Sequence, residues 1–347
     1  MKKFLSQVLY YIVFGLWWIV SILPMPIHYL FSTLGYLVIR YVVRYRRALV
    51  KKNLQESFPT LTQRELKLVE KRFYLYFCDL IAESVKFFSI SKKEMRSRME
   101  FRGLERVHES LAKGRSCACF LGHCGNWEYV SSLPLWIDPK LGRCLQLYHP
   151  LENQVMDKLI GYERERMGST NIPMAQSIRH IMKYQKEGTP VVVGFISDQV
   201  PIWESLNYWL PFLHHDTPVM TGGERIARKM GMDCYYIHMQ RLRRGRYVAT
   251  FELMTDTPKQ MPEHWITEQY YKRLEENISE QPSYWLWTHR RWKRSRAGFV
   301  NRLIRDKRWT ELRNSMFFDQ HHPNGQTCTE WAKEHDIDIP AEAHTDK

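Results

Sequence analysis

CACFLGHCGNWEY, residues 117–129, is the stretch on which the fold of this 347-residue chain turns. A short apolar run ends at Gly122, His123 follows, and Glu128 comes five residues after the histidine. The pattern predicts a strand, a tight turn and a helix start. On one straight helix, positions five apart point to different faces; a strand–turn–helix can bring them together. Gly125 permits the turn, Asn126 suits an N-cap, and Glu128 falls in the first turn, where an acidic side chain is favoured. An imidazole oriented by a carboxylate is a good general base for a hydroxyl nucleophile. The competing reading is a capped helix with an incidental histidine. The motif alone leaves the two level.

Outward from this stretch, the chain changes character near Ser116. Residues 60–113 read as helical throughout: Thr60 to Leu66 opens like a capped helix, and Tyr74, Phe77, Leu80, Ile81 and Val85 continue the apolar period. Beyond Ser116, short apolar runs alternate with amphipathic segments. Strands are expected at Cys117–Leu121, Arg143–Tyr148, Val191–Ile196, Cys234–Met239 and Tyr247–Leu253. Leu151, Val155, Leu159 and Tyr162 mark one intervening helix; Ile266, Tyr270, Leu274 and Ile278 mark another. Such alternation argues for an α/β domain around a central sheet. Arg241–Arg246, with Gly245, reads as a hairpin turn. No internal repeat is visible, and the pattern fades after Trp309.

The N-terminus carries a second signal. Leu5–Leu23 is uncharged and close to the ~20 residues needed to cross a bilayer. Pro24-Met25-Pro26 follows it, where a signal peptide would have a small-residue cleavage site. Ile27–Val43 is a second apolar run, interrupted by Arg40. One span and a re-entrant hairpin both fit; a buried soluble helix fits less well, given the paired Trp and Tyr. Basic residues cluster after the run (Arg40, Arg44, Arg46, Arg47, Lys51, Lys52), which favours a cytoplasmic catalytic domain.

Composition agrees with work at a membrane. Aromatics make up 14% of the chain, and the net charge is +14, suiting anionic head groups, nucleic acid or an acidic protein. The seven cysteines form no CxxC pair, so reduced thiols in a cytosolic compartment are expected.

The HxxxxE pattern, written HCGNWE here, resembles the lysophospholipid acyltransferase superfamily, and the fuller set of segments resembles its lipid A late-acyltransferase branch. The supporting segments are RRALVKKNLQESFP (Arg46–Pro59), LYHPLENQVMDKLIGYERERMG (Leu147–Gly168), VVVGFISDQVP (Val191–Pro201), LPFLHHDTPVMTGGERIARKMG (Leu210–Gly231) and YWLWTHRRWKR (Tyr284–Arg294). Together they cover roughly residues 44–296. The resemblance implies a glycerolipid-acyltransferase-like α/β fold, a mostly parallel central sheet flanked by helices, behind an N-terminal membrane-anchoring segment. The expected divisions are 1–43 (anchor or interfacial helices), 44–312 (acyltransferase domain) and 313–347 (C-terminal appendage). It also implies transfer of a fatty acyl group from an acyl-carrier-protein thioester to a hydroxyl of a lipid A precursor, in lipopolysaccharide biosynthesis. The expected setting is the cytoplasmic side of a cell inner membrane, against its lipid, with no metal, no organic cofactor and no nucleic acid. Acyl-CoA is the alternative donor. Other lysolipids, glycerol- or amino-acid-based, are the alternative acceptors. A non-catalytic basic membrane or nucleic-acid-binding protein is the alternative from another class, and the intact His–Glu pair weighs against it.

His123 is the expected general base and Glu128 the carboxylate that orients it, by analogy with the acid behind a catalytic histidine. Cys124 invites a thiol nucleophile, but adjacent side chains in the turn diverge and the resemblance implies direct transfer. Oxyanion donors are sought among the turn amides near Gly125 and Asn126 and in Arg164 and Arg166. A solvated helix face is the alternative for both arginines. The family commonly has Tyr-Arg-Pro where this chain has Tyr148-His149-Pro150, and a neutral imidazole does not replace a fixed charge. Asp198 and Gln199 follow a predicted strand, where sites of α/β sheets collect; Asp198 suits a sugar hydroxyl or support of the histidine. Phe212–Asp216 holds two histidines and an aspartate, but neighbours point apart, so a substrate-facing loop is expected rather than a metal site. Thr221-Gly222-Gly223-Glu224 opens a helix whose N–H groups suit phosphate or, equally, close packing. The closing segment offers Arg290, Arg291 and Lys293 to lipid phosphates or an acidic carrier, with its tryptophans turned inward.

Overall fold

The computed structural model describes residues 2–313 and 328–340. The apolar N-terminus forms α1 (Lys2–Ser21) and α2 (Met25–Leu37), separated at Pro24, whose extended backbone (ψ 145°) breaks the helix. A π-helical turn, Val38–Val42, closes α2. No single described helix is long and apolar enough to cross a membrane; Gln7–Ser21 and Met25–Val42 qualify only together, bent by 103° at the break. Leu9, Ile12, Leu16 and Ile19 on α1, and Leu30, Phe31, Leu34 and Leu37 on α2, are exposed.

Next come α3 (Arg47–Ser57), α4 (Gln63–Phe87) and α5 (Lys92–Arg98). Helix α4 begins where Thr62 accepts from Glu65 N–H and Glu65 returns the bond, a capping box. The expected all-helical stretch is then interrupted: Met99–Arg102 is a strand, β1, paired with a strand far along the chain. Only that distant partner stabilises so short a segment in extended form, so no local pattern announces it. Helix α6 (Leu104–Ala112) follows, then β2 (Cys117–Leu121), β3 (Arg143–Tyr148), α7 (Gln154–Glu165), β4 (Thr170–Pro173), α8 (Ser177–Lys186) and β5 (Val191–Ile196). The hairpin β6 (Tyr208–Phe212) and β7 (His215–Val219) precedes α9 (Gly222–Met230), β8 (Asp233–Arg243), β9 (Arg246–Thr255), α10 (Trp265–Glu280) and α11 (Arg296–Arg305).

The main sheet has seven strands in the order β1-β9-β8-β2-β5-β3-β4, parallel at every pairing except the β8–β9 hairpin. An α/β fold with a mostly parallel, helix-flanked sheet is therefore present. Strand β2 is buried along its whole length, as a central parallel strand covered on both faces must be. On one face Phe120 stacks on Phe195 at 5.3 Å, and a Cβ on Gly223 of α9 would come within 2.8 Å of the Phe120 ring. Close packing accounts for that glycine.

The Phe212–Asp216 segment is not a loop. It is the turn of the β6–β7 hairpin, with Leu213 and His214 both at positive φ, the backbone a two-residue turn between twisted strands demands. Of the expected appendage 313–347, the stretches 314–327 and 341–347 lie outside the described residues. In the described part, Trp331, Ala332 and Ile337 pack with Leu206, Trp209 and Phe299.

Candidate functional site

Strands β2 and β5 are parallel neighbours, with Leu121 opposite Ile196. His123 and Asp198 each lie two residues beyond that pair, so register alone delivers both to the same edge of the sheet. His123 Nδ1 lies 2.5 Å from Asp198 Oδ1, and the His123 backbone N–H donates to Oδ2 at 2.8 Å. The Trp285 indole N–H also donates to Oδ2, at 2.7 Å. Burial by itself would raise the Asp198 carboxyl, but the His123 ring and these donors hold it down at about 2. Asp198 is ionised at neutral pH and accepts from Nδ1–H. That leaves the Nε2 lone pair outward, where the Gln199 amide donates at 3.2 Å. The Trp127 ring stands edge-on against the imidazole, centroids 4.8 Å apart.

This arrangement reassigns one expected role. The carboxylate on the imidazole belongs to Asp198, not Glu128. Glu128 lies across the cavity mouth, bonded twice to Arg164: Nε donates at 2.9 Å and Nη2 at 2.7 Å. Burial opposes ionisation of Glu128, yet the guanidinium overrides it and holds the carboxyl below its ordinary range. The expected helix start is real but is a 3₁₀ helix, Trp127–Leu135, with Glu128 in its first turn.

The turn itself is fastened on every side. Gly125 has φ +53°, and a Cβ there would meet Met239 at 2.7 Å, so glycine is required twice over. Its N–H donates to Tyr284 O at 2.8 Å, and its carbonyl accepts from the Tyr76 hydroxyl at 2.5 Å. The Gly125 amide is thus occupied and not free for an oxyanion. Asn126 is the expected N-cap, accepting from Tyr129 N–H, but it is fully buried and faces Glu83 rather than a substrate. Cys124 is buried, and burial pushes its thiol well up, the opposite of an activated nucleophile.

A cavity of about 640 Å³ opens beside Nε2. Its rim holds His123, Glu128, Arg164, Gln199, His149 and Ile202. The interior is mostly apolar and follows the sheet inward in layers. Leu121 and Ile196 come first, then Cys119 and Gly194, then Val192 with Cys144. Successive layers are two residues, about 7 Å, apart. Gly194 sits in an interior strand yet is partly exposed, into this cavity, and a Cβ there would meet nothing within 4 Å.

Four further expected binding residues are elsewhere. Arg166 donates to Phe87 O and Ile90 O and joins α7 to the end of α4. Arg291 is fully buried against Pro218 O and the Tyr271 hydroxyl, an exception to the outward cations expected of the closing segment. Arg290 and Lys293 are exposed and away from the cavity lining. The tryptophans do turn inward: Trp285 and Trp287 are buried. Helix α3 pins this segment, with Asn53 donating to Trp287 O and His289 O. No sequence signal marks Gly194 as part of the site, and the place of Trp285 among the inward aromatics of the closing segment does not reveal its bond to Asp198.

The family model described as bacterial lipid A biosynthesis acyltransferase matches residues 2–294. A protein of Haemophilus influenzae named "Lipid A biosynthesis acyltransferase" is 22% identical over 143 residues, which is 41% of this chain. The match spans 44% of that relative's length.

Proposed function

Because the chain belongs to the bacterial lipid A biosynthesis acyltransferase family, we propose that it transfers a fatty acyl group from a carrier thioester to a hydroxyl of a lipid A precursor. The observation that carries this is the His123–Asp198 pair, with Nε2 facing a deep apolar cavity. Nε2 takes the proton of the acceptor hydroxyl as its oxygen attacks the thioester carbonyl. Asp198 fixes the tautomer and stabilises the imidazolium. The tetrahedral intermediate collapses, the C–S bond breaks, and the thiol leaves with the proton held on Nε2. Arg164, anchored by Glu128 at the rim, supplies positive charge for the oxyanion or for a substrate phosphate. The apolar layers from Leu121 to Val192 hold the acyl chain.

Acyl carrier protein is the proposed donor, with the exposed Arg290 and Lys293 offering charge to an acidic partner. The exposed apolar faces of α1 and α2 support seating in the lipid of the cell inner membrane, the catalytic domain on its cytoplasmic side. The test is transfer by the purified chain in detergent. Labelled lipid A precursor is mixed with acyl-carrier thioesters of several lengths, beside a His123→Ala control. Acylation by the wild type, reduced about 10³-fold or more in the control, is expected. Acylation of a lysolipid panel in place of lipid A precursor changes the acceptor. Equal turnover in wild type and control removes the mechanism.

A further inference from the structure

One fully buried carboxylate has no part in that chemistry. Glu83, on α4, accepts three hydrogen bonds: from Asn126 Nδ2 at 2.8 Å, from the Tyr247 hydroxyl at 2.8 Å and from the Tyr29 hydroxyl at 3.0 Å. The three donors come from different parts of the molecule. Asn126 closes the turn that begins at His123 and caps the 3₁₀ helix that carries Glu128. Tyr247 belongs to β9 of the sheet. Tyr29 belongs to α2, whose outward residues Leu30, Phe31 and Leu34 are exposed.

One turn earlier on α4, Asp79 repeats the pattern. It accepts from Ser32 of α2 at 2.5 Å and from Arg241 and Arg244 of the β8–β9 hairpin, each at 2.6 Å. Arg244 also donates to Tyr29 O at 3.1 Å and to Thr33 Oγ1 at 3.0 Å. The inner face of α2 is therefore polar and bonded, while its outer face is apolar and uncovered. A buried carboxylate is costly unless its lone pairs are filled, so these bonds hold as a set.

We infer that Glu83 is a positioning residue: it sets the Asn126 amide, and with it the His123–Glu128 turn, and ties that turn through Tyr29 to the apolar α2 helix. Asn126 can cap Tyr129 N–H through Oδ1 only while its Nδ2 faces an acceptor, and Glu83 is that acceptor. Seating α2 on a lipid surface then braces the catalytic turn. This rests on the acyl-transfer reading of His123.

The test uses the full chain in detergent and the same transfer assay, with kcat and KM measured separately. Glu83→Ala is expected to lower kcat by about 10- to 100-fold, the scale of a small misplacement, with KM within about twofold. Glu83→Gln, whose Oε1 still accepts from Asn126, should recover most of it. The Glu83→Ala/Asn126→Ala double variant should be no worse than the poorer single one, because both break one link. Tyr29→Phe should lower kcat about two- to fivefold. If Glu83→Ala fails to fold, the Tyr29→Phe and Asn126→Ala variants and their combination decide: coupled losses in kcat support the link. Additive losses, a loss confined to KM, or wild-type kcat in Glu83→Ala overturn the inference. Wild-type kcat in Tyr29→Phe removes the tie to α2. A His123→Ala variant that is fully active removes the underlying reading instead; an inactive one beside an unaffected Glu83→Ala removes only this inference.

Discussion

Asp198 and Glu128 serve one cavity in opposite ways, Asp198 from behind the histidine that lines it and Glu128 from the lining itself. Asp198 is 1% exposed, behind the imidazole, its oxygens filled by a ring N–H, a backbone N–H and an indole. Glu128 is 19% exposed and on the cavity wall, paired with an arginine that also lines it. The first arrangement has no room for a substrate and fixes a proton acceptor. The second leaves charge at the rim, where a substrate arrives. A carboxylate's task follows from which of its lone pairs are already taken, not from its distance along the chain.

The sharpest way to break the contrast is at Asp198. Asp198→Asn keeps the shape but presents an amide to Nδ1, favouring the wrong tautomer; kcat should fall about 10³- to 10⁴-fold with KM little changed. Glu128→Gln and Arg164→Lys should cost less, about 10- to 100-fold in kcat/KM, with a larger share in KM, since the bidentate fork is lost at the rim. If Glu128→Gln proves the more damaging in kcat and Asp198→Asn is mild, the two roles are exchanged. Smaller again is the effect of depth. Gly194→Val fills open space two layers into the cavity, and activity with the longest donors should fall about tenfold while short donors are transferred as before. A transfer series over donor length reads this directly.

Acid stability probes the Asp198 pair directly. The folded Asp198 carboxyl lies at about 2, below its ordinary 3.8. Its contribution to stability is complete above about pH 4 and is lost as pH falls towards 2. Denaturant titrations at stepped pH should show that component in the wild type and not in Asp198→Asn.

How much was legible beforehand differs between the sheet and the site. Three of the expected strands have the observed bounds, Cys117–Leu121, Arg143–Tyr148 and Val191–Ile196, because each is a buried run closed by turn residues. Strands β1, β4, β6 and β7 were missed. All four are only four or five residues long with weak patterns, and β7 carries a proline and three charged or polar positions. Of the site, His123 was legible from the motif and Asp198 from its place after a strand. Their pairing was one of two roles open to Asp198, and choosing it needs the contact between two segments 75 residues apart. Sequence proximity favours Glu128 for the orienting role, but the folded chain pairs Glu128 with Arg164 of α7.

The sequence by itself determined what local chemistry can determine: the apolar runs that become parallel strands, the glycine turn and asparagine cap after β2, the histidine at its end, and the uncharged apolar run of the N-terminus. Only the tertiary structure decided which carboxylate faces which nitrogen. Strand register places His123 and Asp198 two residues past the same rung, and α4 crosses the turn to put Glu83 under Asn126. Hydrogen bonds act over about 3 Å in space, and spacing along the chain does not measure that distance.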